Sequence, residues 1–171
     1  MKIIENIGDA VLVESNFFND SRGGFLKVFN TDIDVLKEYA IKQINYVVTK
    51  EKFTLRGLHY QKNQYAESKM FRVTRGSAQV AFVDVRSSSA TYLKSYTCSL
   101  NDPKHAILIP RGFATGYCTL SDDVEMLYTA DNDYFAPAEA GLLWNDPKLQ
   151  IEWQTRNPVL SKKDREWHAL Q

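Results

Sequence analysis

A chain of 171 residues fits one domain and is long enough to bury a substantial core without disulfides or a metal. Twenty-one Lys and Arg offset twenty-one Asp and Glu with no long run of either sign, which excludes the electrostatic footprint of a nucleic-acid binder. No apolar run approaches the length of a membrane span, and Met1-Lys2-Ile3-Ile4-Glu5-Asn6 lacks the apolar region of a signal peptide, so a cytoplasmic protein is expected.

In chain order, short apolar or alternating segments recur at Ala10–Glu14, Gly24–Phe29, Ile44–Thr49, Thr54–Tyr60, Lys69–Arg75, Gln79–Val85, Ser95–Leu100, Ala106–Ile109, Ala114–Leu120 and Val124–Ala130. Turn chemistry separates them at Ser21-Arg22-Gly23-Gly24, Arg75-Gly76-Ser77, Asn101-Asp102-Pro103, Pro110-Arg111-Gly112 and Ser121-Asp122-Asp123. Many short, evenly spaced strands predict an all-β sandwich or barrel. One early stretch, Asp32–Ala40, reads as a helix with Thr31 as its N-cap. Near the end, Ser161 is positioned to cap a short helix through Lys162-Lys163-Asp164. Cys98 and Cys118 fall in strands without a partner at zinc-ligand spacing, so both are expected to be buried free thiols.

The chemistry-bearing segment is Leu55-Arg56-Gly57-Leu58-His59-Tyr60-Gln61, followed by Lys69, in a chain with three histidines. Strand alternation places Arg56, Leu58 and Tyr60 on one face, and Leu55, Gly57, His59 and Gln61 on the other. An imidazole titrates near neutrality and suits proton transfer, and a guanidinium grips phosphate or carboxylate in a bidentate fork. On these residues alone His59 fits a base and a hydrogen-bonded structural histidine equally. Lys69 by default is a solvated charge, Tyr128 a strand tyrosine in the core or at its rim, and Asp164 a helix-terminal carboxylate. Asp84 and Arg86 read as a structural ion pair at a strand end, His105 and His168 as surface histidines, and Trp144, Trp153 and Trp167 as packing or subunit-contact residues.

Taken together, Asp20-Ser21-Arg22-Gly23, Leu55 to Gln61, Val83-Asp84-Val85-Arg86, Ile109-Pro110-Arg111-Gly112-Phe113-Ala114, Trp144-Asn145-Asp146-Pro147 and Leu160-Ser161-Lys162-Lys163-Asp164 resemble, in order and spacing, the dTDP-4-dehydrorhamnose 3,5-epimerase family. The resemblance covers nearly the whole chain. It implies a cupin-like double-stranded β-helix, a homodimer, and a nucleotide-linked 4-keto-6-deoxy sugar as substrate. It further implies His59 as base with Asp164 as its orienting carboxylate, Lys69 beside the keto oxygen, and Tyr128 as general acid on the opposite face. Arg22 and Arg56 match arginines that engage the diphosphate. Gln61, polar neighbour of His59, and Tyr134, six residues beyond Tyr128, complete the expected substrate-binding set.

Three positions depart from the family pattern. Gly112-Phe113-Ala114-Thr115-Gly116 carries Thr115 where a histidine is common, Gln43-Ile44-Asn45-Tyr46 replaces a Gln-Asp-Asn run, and Lys27 stands where a glutamate is usual. Threonine supplies neither a base nor a cation, so one inversion is expected to dominate, while dTDP, CDP and GDP sugars all stay open. A metal-dependent cupin is disfavoured because His59 has no histidine two residues away and only two others exist in the chain. A sugar-nucleotide ketoisomerase and a non-catalytic carbohydrate-binding barrel are the remaining alternatives.

Overall fold

Alternating inward and outward side chains, broken by Gly, Pro and Asp turns, give the chain its strands. The computed structural model describes residues 1–170. In order these form β1 (Lys2–Ile7), β2 (Ala10–Glu14), β3 (Phe17–Asp20), β4 (Gly23–Leu26), α1 (Asp34–Lys37), β5 (Gln43–Thr49), β6 (Thr54–Gln61), β7 (Lys69–Arg75), β8 (Ala78–Asp84), β9 (Ser95–Leu100), β10 (His105–Ile109), β11 (Phe113–Thr119), β12 (Val124–Ala130), β13 (Glu139–Gly141), β14 (Val159–Leu160) and α2 (Lys162–Arg165). The ten expected strands are present within a residue or two of their predicted ends, except that β4 stops at Leu26. The predicted helix over Asp32–Ala40 shrinks to the single turn α1. Its N-cap is Ile33, whose side chain offers no acceptor to the free N–H groups, and Thr31 takes no part.

Two antiparallel sheets face each other, ordered β1-β2-β10-β7-β12-β5 and β13-β6-β11-β8-β9, with β3 and β4 forming a separate hairpin. This is the all-β cupin jelly roll that was expected. Between the sheets lie Phe71, Val73 and Met126 of the first and Val80, Phe82 and Phe113 of the second. Fully burying a side chain of this size contributes about 1.5–3 kcal/mol, so the interlayer core dominates stability.

Each sheet is also covered on its outer face. Leu36 and Tyr39, in and just after α1, close over Val11, Val13, Met70 and Leu108, while Leu142 and Leu149 close over Leu58, Ala81, Val83 and Ala114. The cover is incomplete at the edge strand β5, where Ile44, Tyr46 and Val48 are exposed, Ile44 to 70%. The β3–β4 hairpin likewise exposes Phe17, Phe18 and Phe25. Cys98 and Cys118 are buried free thiols, as expected. No helix of the described residues is long and apolar enough to cross a membrane.

Candidate active site

The interlayer space is apolar between β2, β10, β8 and β9, but polar between β5, β12, β7 and β6. Inward positions of β7 run Val73, Phe71, Lys69, and those of β12 run Met126, Tyr128, Ala130, paired as Val73 with Met126, Phe71 with Tyr128 and Lys69 with Ala130. At this end the barrel opens into two adjoining lobes. One, of about 300 Å³, is lined by residues including Gln43, Asn45, Glu67, Tyr134 and Glu139; the other, of about 290 Å³, by Arg56, Phe71, Thr115, Tyr117 and Asp164 among others. His59, Lys69 and Tyr128 line both.

His59 and Arg56 enter the same lobe, which corrects the expectation that they face opposite sides of β6. The reason is a register shift against β11: His59 pairs with Thr115 but Arg56 pairs with Tyr117, so three steps of β6 oppose two of β11. Gly57 lies inside that step with φ of 124°, a backbone region closed to other residues, and a Cβ there would stand 2.6 Å from the Gly116 Cα.

Asp164 reaches the site from 105 residues away. The short parallel pairing of β14 with β6, Val159 to Thr54 and Leu160 to Leu55, lays the C-terminal segment alongside the histidine strand. Ser161 then caps α2, accepting from the Asp164 N–H at 3.1 Å as its spacing predicted, and donates its own hydroxyl to Asp164 Oδ2 at 2.6 Å. Asp164 Oδ1 takes His59 Nε2 at 2.6 Å and the Gly57 N–H at 3.2 Å. Burial alone would raise this carboxyl, but the hydrogen bonds from His59 and Ser161 outweigh it and hold Asp164 below its ordinary value. An ionised Asp164 selects the tautomer with the proton on Nε2, leaving the Nδ1 lone pair as the basic atom. The Trp167 and His59 rings pack edge to face, centroids 6.0 Å apart.

Tyr128 lines the same lobes as His59, from a strand of the other sheet. Burial, and after it the negative charge of Glu67, pushes its phenol above the ordinary value, against the lowering effect of Arg56, so it remains a proton donor at neutral pH. Lys69 Nζ lies 2.8 Å from Glu67 Oε1. Gln61 is buried in the wall with its amide committed to backbone: Nε2 donates to the carbonyls of Tyr65 and Asp133, and Oε1 accepts from Phe135 N–H. Tyr134 sits at the mouth, its hydroxyl donating to Glu139 at 2.8 Å, and Glu139 also holds Lys163.

Arg22 is not part of this cavity. It lies on the β3–β4 turn with its side chain 88% exposed, bonded to Asp20, and Lys27 follows on the same hairpin. Thr115, buried opposite His59, lines the second lobe. Sequence reasoning missed Glu67, Glu139, Ser161 as a ligand of Asp164, and Trp167 as the wall of His59. The signals were present in part: Glu67 precedes Lys69 by two residues, and Trp167 follows Asp164 by three. A surface hollow of about 560 Å³ lies elsewhere, along the segment from Trp144 to Arg156. Asp146 there accepts the Lys148 and Leu170 N–H groups, and Trp153 donates to the Trp144 carbonyl, so these two side chains serve the chain itself. Among the described residues no cluster of three or more His, Cys, Asp or Glu is placed to hold a metal ion.

The family model for dTDP-4-dehydrorhamnose 3,5-epimerase matches residues 5–171. The enzyme of that name from Shigella flexneri is 38% identical over 170 residues, covering 96% of this chain and 93% of its own. A solved dTDP-4-dehydrorhamnose 3,5-epimerase from Bacillus anthracis, with TDP and PPi bound, superposes with a TM-score of 0.92 at 37% identity and covers 99% of both chains. A Legionella pneumophila dTDP-6-deoxy-D-glucose-3,5-epimerase, in complex with dTDP-4-keto-L-rhamnose, gives a TM-score of 0.86 at 30% identity, covering 95% of this chain and 88% of its own.

Proposed function

This chain belongs to the dTDP-4-dehydrorhamnose 3,5-epimerase family, and we propose that it epimerises a nucleotide-linked 4-keto-6-deoxyhexose at C3, C5 or both, in deoxysugar or surface polysaccharide biosynthesis. The observation that carries the reading is the His59–Asp164 hydrogen bond of 2.6 Å in a cavity shared with Lys69 and Tyr128.

The chemistry follows from these groups. His59 Nδ1 removes the proton beside the C4 ketone; the C–H electrons move into the ring and onto the keto oxygen, where the Lys69 ammonium stabilises the enolate. Tyr128 then gives its phenolic proton to the same carbon from the opposite face, inverting it. Protonated His59 and deprotonated Tyr128 return to their starting states through solvent. Asp164 stabilises the imidazolium and fixes its ring. Lys69 provides the cation, so the reading requires no metal, and chelator-treated protein should keep its activity.

Arg56 engages the diphosphate, with Gln61 and Tyr134 forming the wall and mouth against which the sugar nucleotide rests. Arg22 joins it from a second copy of the chain: the exposed apolar hairpin and the exposed face of β5 are surfaces that a homodimer would cover. The two buried thiols suit the reducing interior of a cell, where this reading places the protein. Thr115, a neutral side chain opposite His59, leaves one inversion better supported than the other.

The test is NMR of dTDP-, CDP- and GDP-linked 4-keto-6-deoxy sugars incubated with the protein in deuterated water. The expected result is deuterium at one dominant ring carbon, with inversion, for one nucleotide. Binding without exchange for every nucleotide would leave a carbohydrate-binding barrel, and equal rapid exchange at C3 and C5 would remove the role assigned to Thr115.

A further inference from the structure

Lys69 does not enter the cavity alone. The Glu67 carboxylate lies 2.8 Å from its ammonium, with the Lys69 side chain 14% exposed and that of Glu67 7%. Both line the lobe that holds His59 and Tyr128. An ion pair this enclosed is a poor device for stability, because desolvating two charges offsets most of their attraction and a packed apolar pair would do at least as well. The inward row of β7 takes the apolar solution immediately afterwards, at Phe71 and Val73. The pair therefore sits where a charge is needed, at the end of the inward row of β7 that reaches both lobes of the cavity.

An ammonium on a four-carbon stem is a mobile point charge. Stabilising an oxyanion requires a donor already aimed at the place where negative charge develops, held to within about half an ångström. Glu67 occupies one of the three ammonium N–H groups and leaves two for substrate. Its negative charge also adds to burial in raising the Tyr128 phenol, so one carboxylate bears on both the cation and the acid of the site.

We propose that Glu67 is a positioning residue for enolisation, its carboxylate fixing the Lys69 ammonium where the substrate's keto oxygen becomes negative. The assignment rests on the epimerase reading above and extends it to a residue that touches neither the reacting carbon nor its proton.

The experiment compares Glu67→Gln, Glu67→Asp, Lys69→Met and the Glu67→Gln/Lys69→Met double variant by steady-state deuterium exchange. Glu67→Gln keeps the side-chain size and removes the charge; kcat should fall roughly tenfold or more while KM changes less than about threefold, the signature of an interaction that matters in the transition state. Glu67→Asp should recover part of the loss. The double variant should be no slower than Lys69→Met alone, since Glu67 acts only through Lys69, and removing both partners avoids stranding a buried charge that would unfold the protein. A wild-type kcat for Glu67→Gln, or a further tenfold loss in the double variant, overturns the assignment. Wild-type protein that binds sugar nucleotide without exchanging deuterium overturns the epimerase reading and this assignment with it.

Discussion

Two buried carboxylates, Asp84 and Asp164, have similar surroundings and opposite uses. Asp84, fully buried at the end of β8, accepts from Arg86 N, Nε and Nη2 and from the Thr91 hydroxyl, all within seven residues, and Arg86 goes on to Asp9 and to the face of Phe113. Asp164 accepts from Ser161 nearby and from Gly57 and His59 more than a hundred residues away. Burial raises both carboxyls, and hydrogen bonding outweighs it and lowers both. Burial and pKa therefore do not separate a structural acid from one that serves a reaction. The partner does: a guanidinium stays charged at any pH the protein meets and closes the Asp84 clamp on itself, whereas an imidazole changes charge near neutrality and carries a second nitrogen.

The sharpest contrast should come from His59→Ala, with turnover reduced about a hundredfold or more and thermal unfolding little changed. Asp164→Asn should cut turnover at least about tenfold, because the amide no longer holds the Nε2 proton or balances the imidazolium; exchange rates in deuterated water measure both. Asp84→Asn should do the reverse, leaving kcat of the folded protein intact and costing about 2 kcal/mol in urea unfolding.

Acid unfolding sharpens the pair further. Each carboxyl is held below its ordinary 3.8 in the folded protein, so its stabilising contribution is complete above that value and is lost as pH falls through the lowered one. Asp84→Asn should therefore flatten the loss of urea stability below about pH 4, and an unchanged slope would move the acid sensitivity elsewhere. The smallest effect is expected from Arg56→Lys, which keeps the charge but loses the fork: a several-fold weaker Kd for a nucleoside diphosphate, read by calorimetry, with the stereochemical outcome unchanged.

The strands were legible because their signals are local. Alternation and turn residues mark β7 through β12 within a residue or two, and Ser161 followed by Asp164 marked the cap of α2. The predicted helix at Asp32–Ala40 failed because Leu36 and Tyr39 are anchored in the outer cluster while Ile33 gives no cap, so packing holds the segment without extending its helix. Sequence proximity also identified Asp84 with Arg86, two residues apart. The His59–Asp164 contact spans 105 positions and depends on β14 pairing beside β6, and only the family resemblance pointed to it. Strand parity placed Arg56 and His59 on different faces because a shift in register is a property of two strands together. Arg22 lies on a hairpin away from this chain's own cavity, so a single copy of the fold does not test the role its motif suggests.

The close approach of Gly57 to Gly116 gives the protein an unusual pattern of vulnerability. Any side chain at Gly57 meets the backbone of Gly116 and Thr115, and one at Gly116 meets the Arg56 carbonyl and the Gly57 Cα. Neither glycine has a side chain, yet the course of the strand that carries His59 depends on the atoms both lack. A survey of random substitutions scored by turnover would therefore flag these two inert positions beside the histidine itself, and adding imidazole to the medium, which can stand in for a missing base, would be of no use to them.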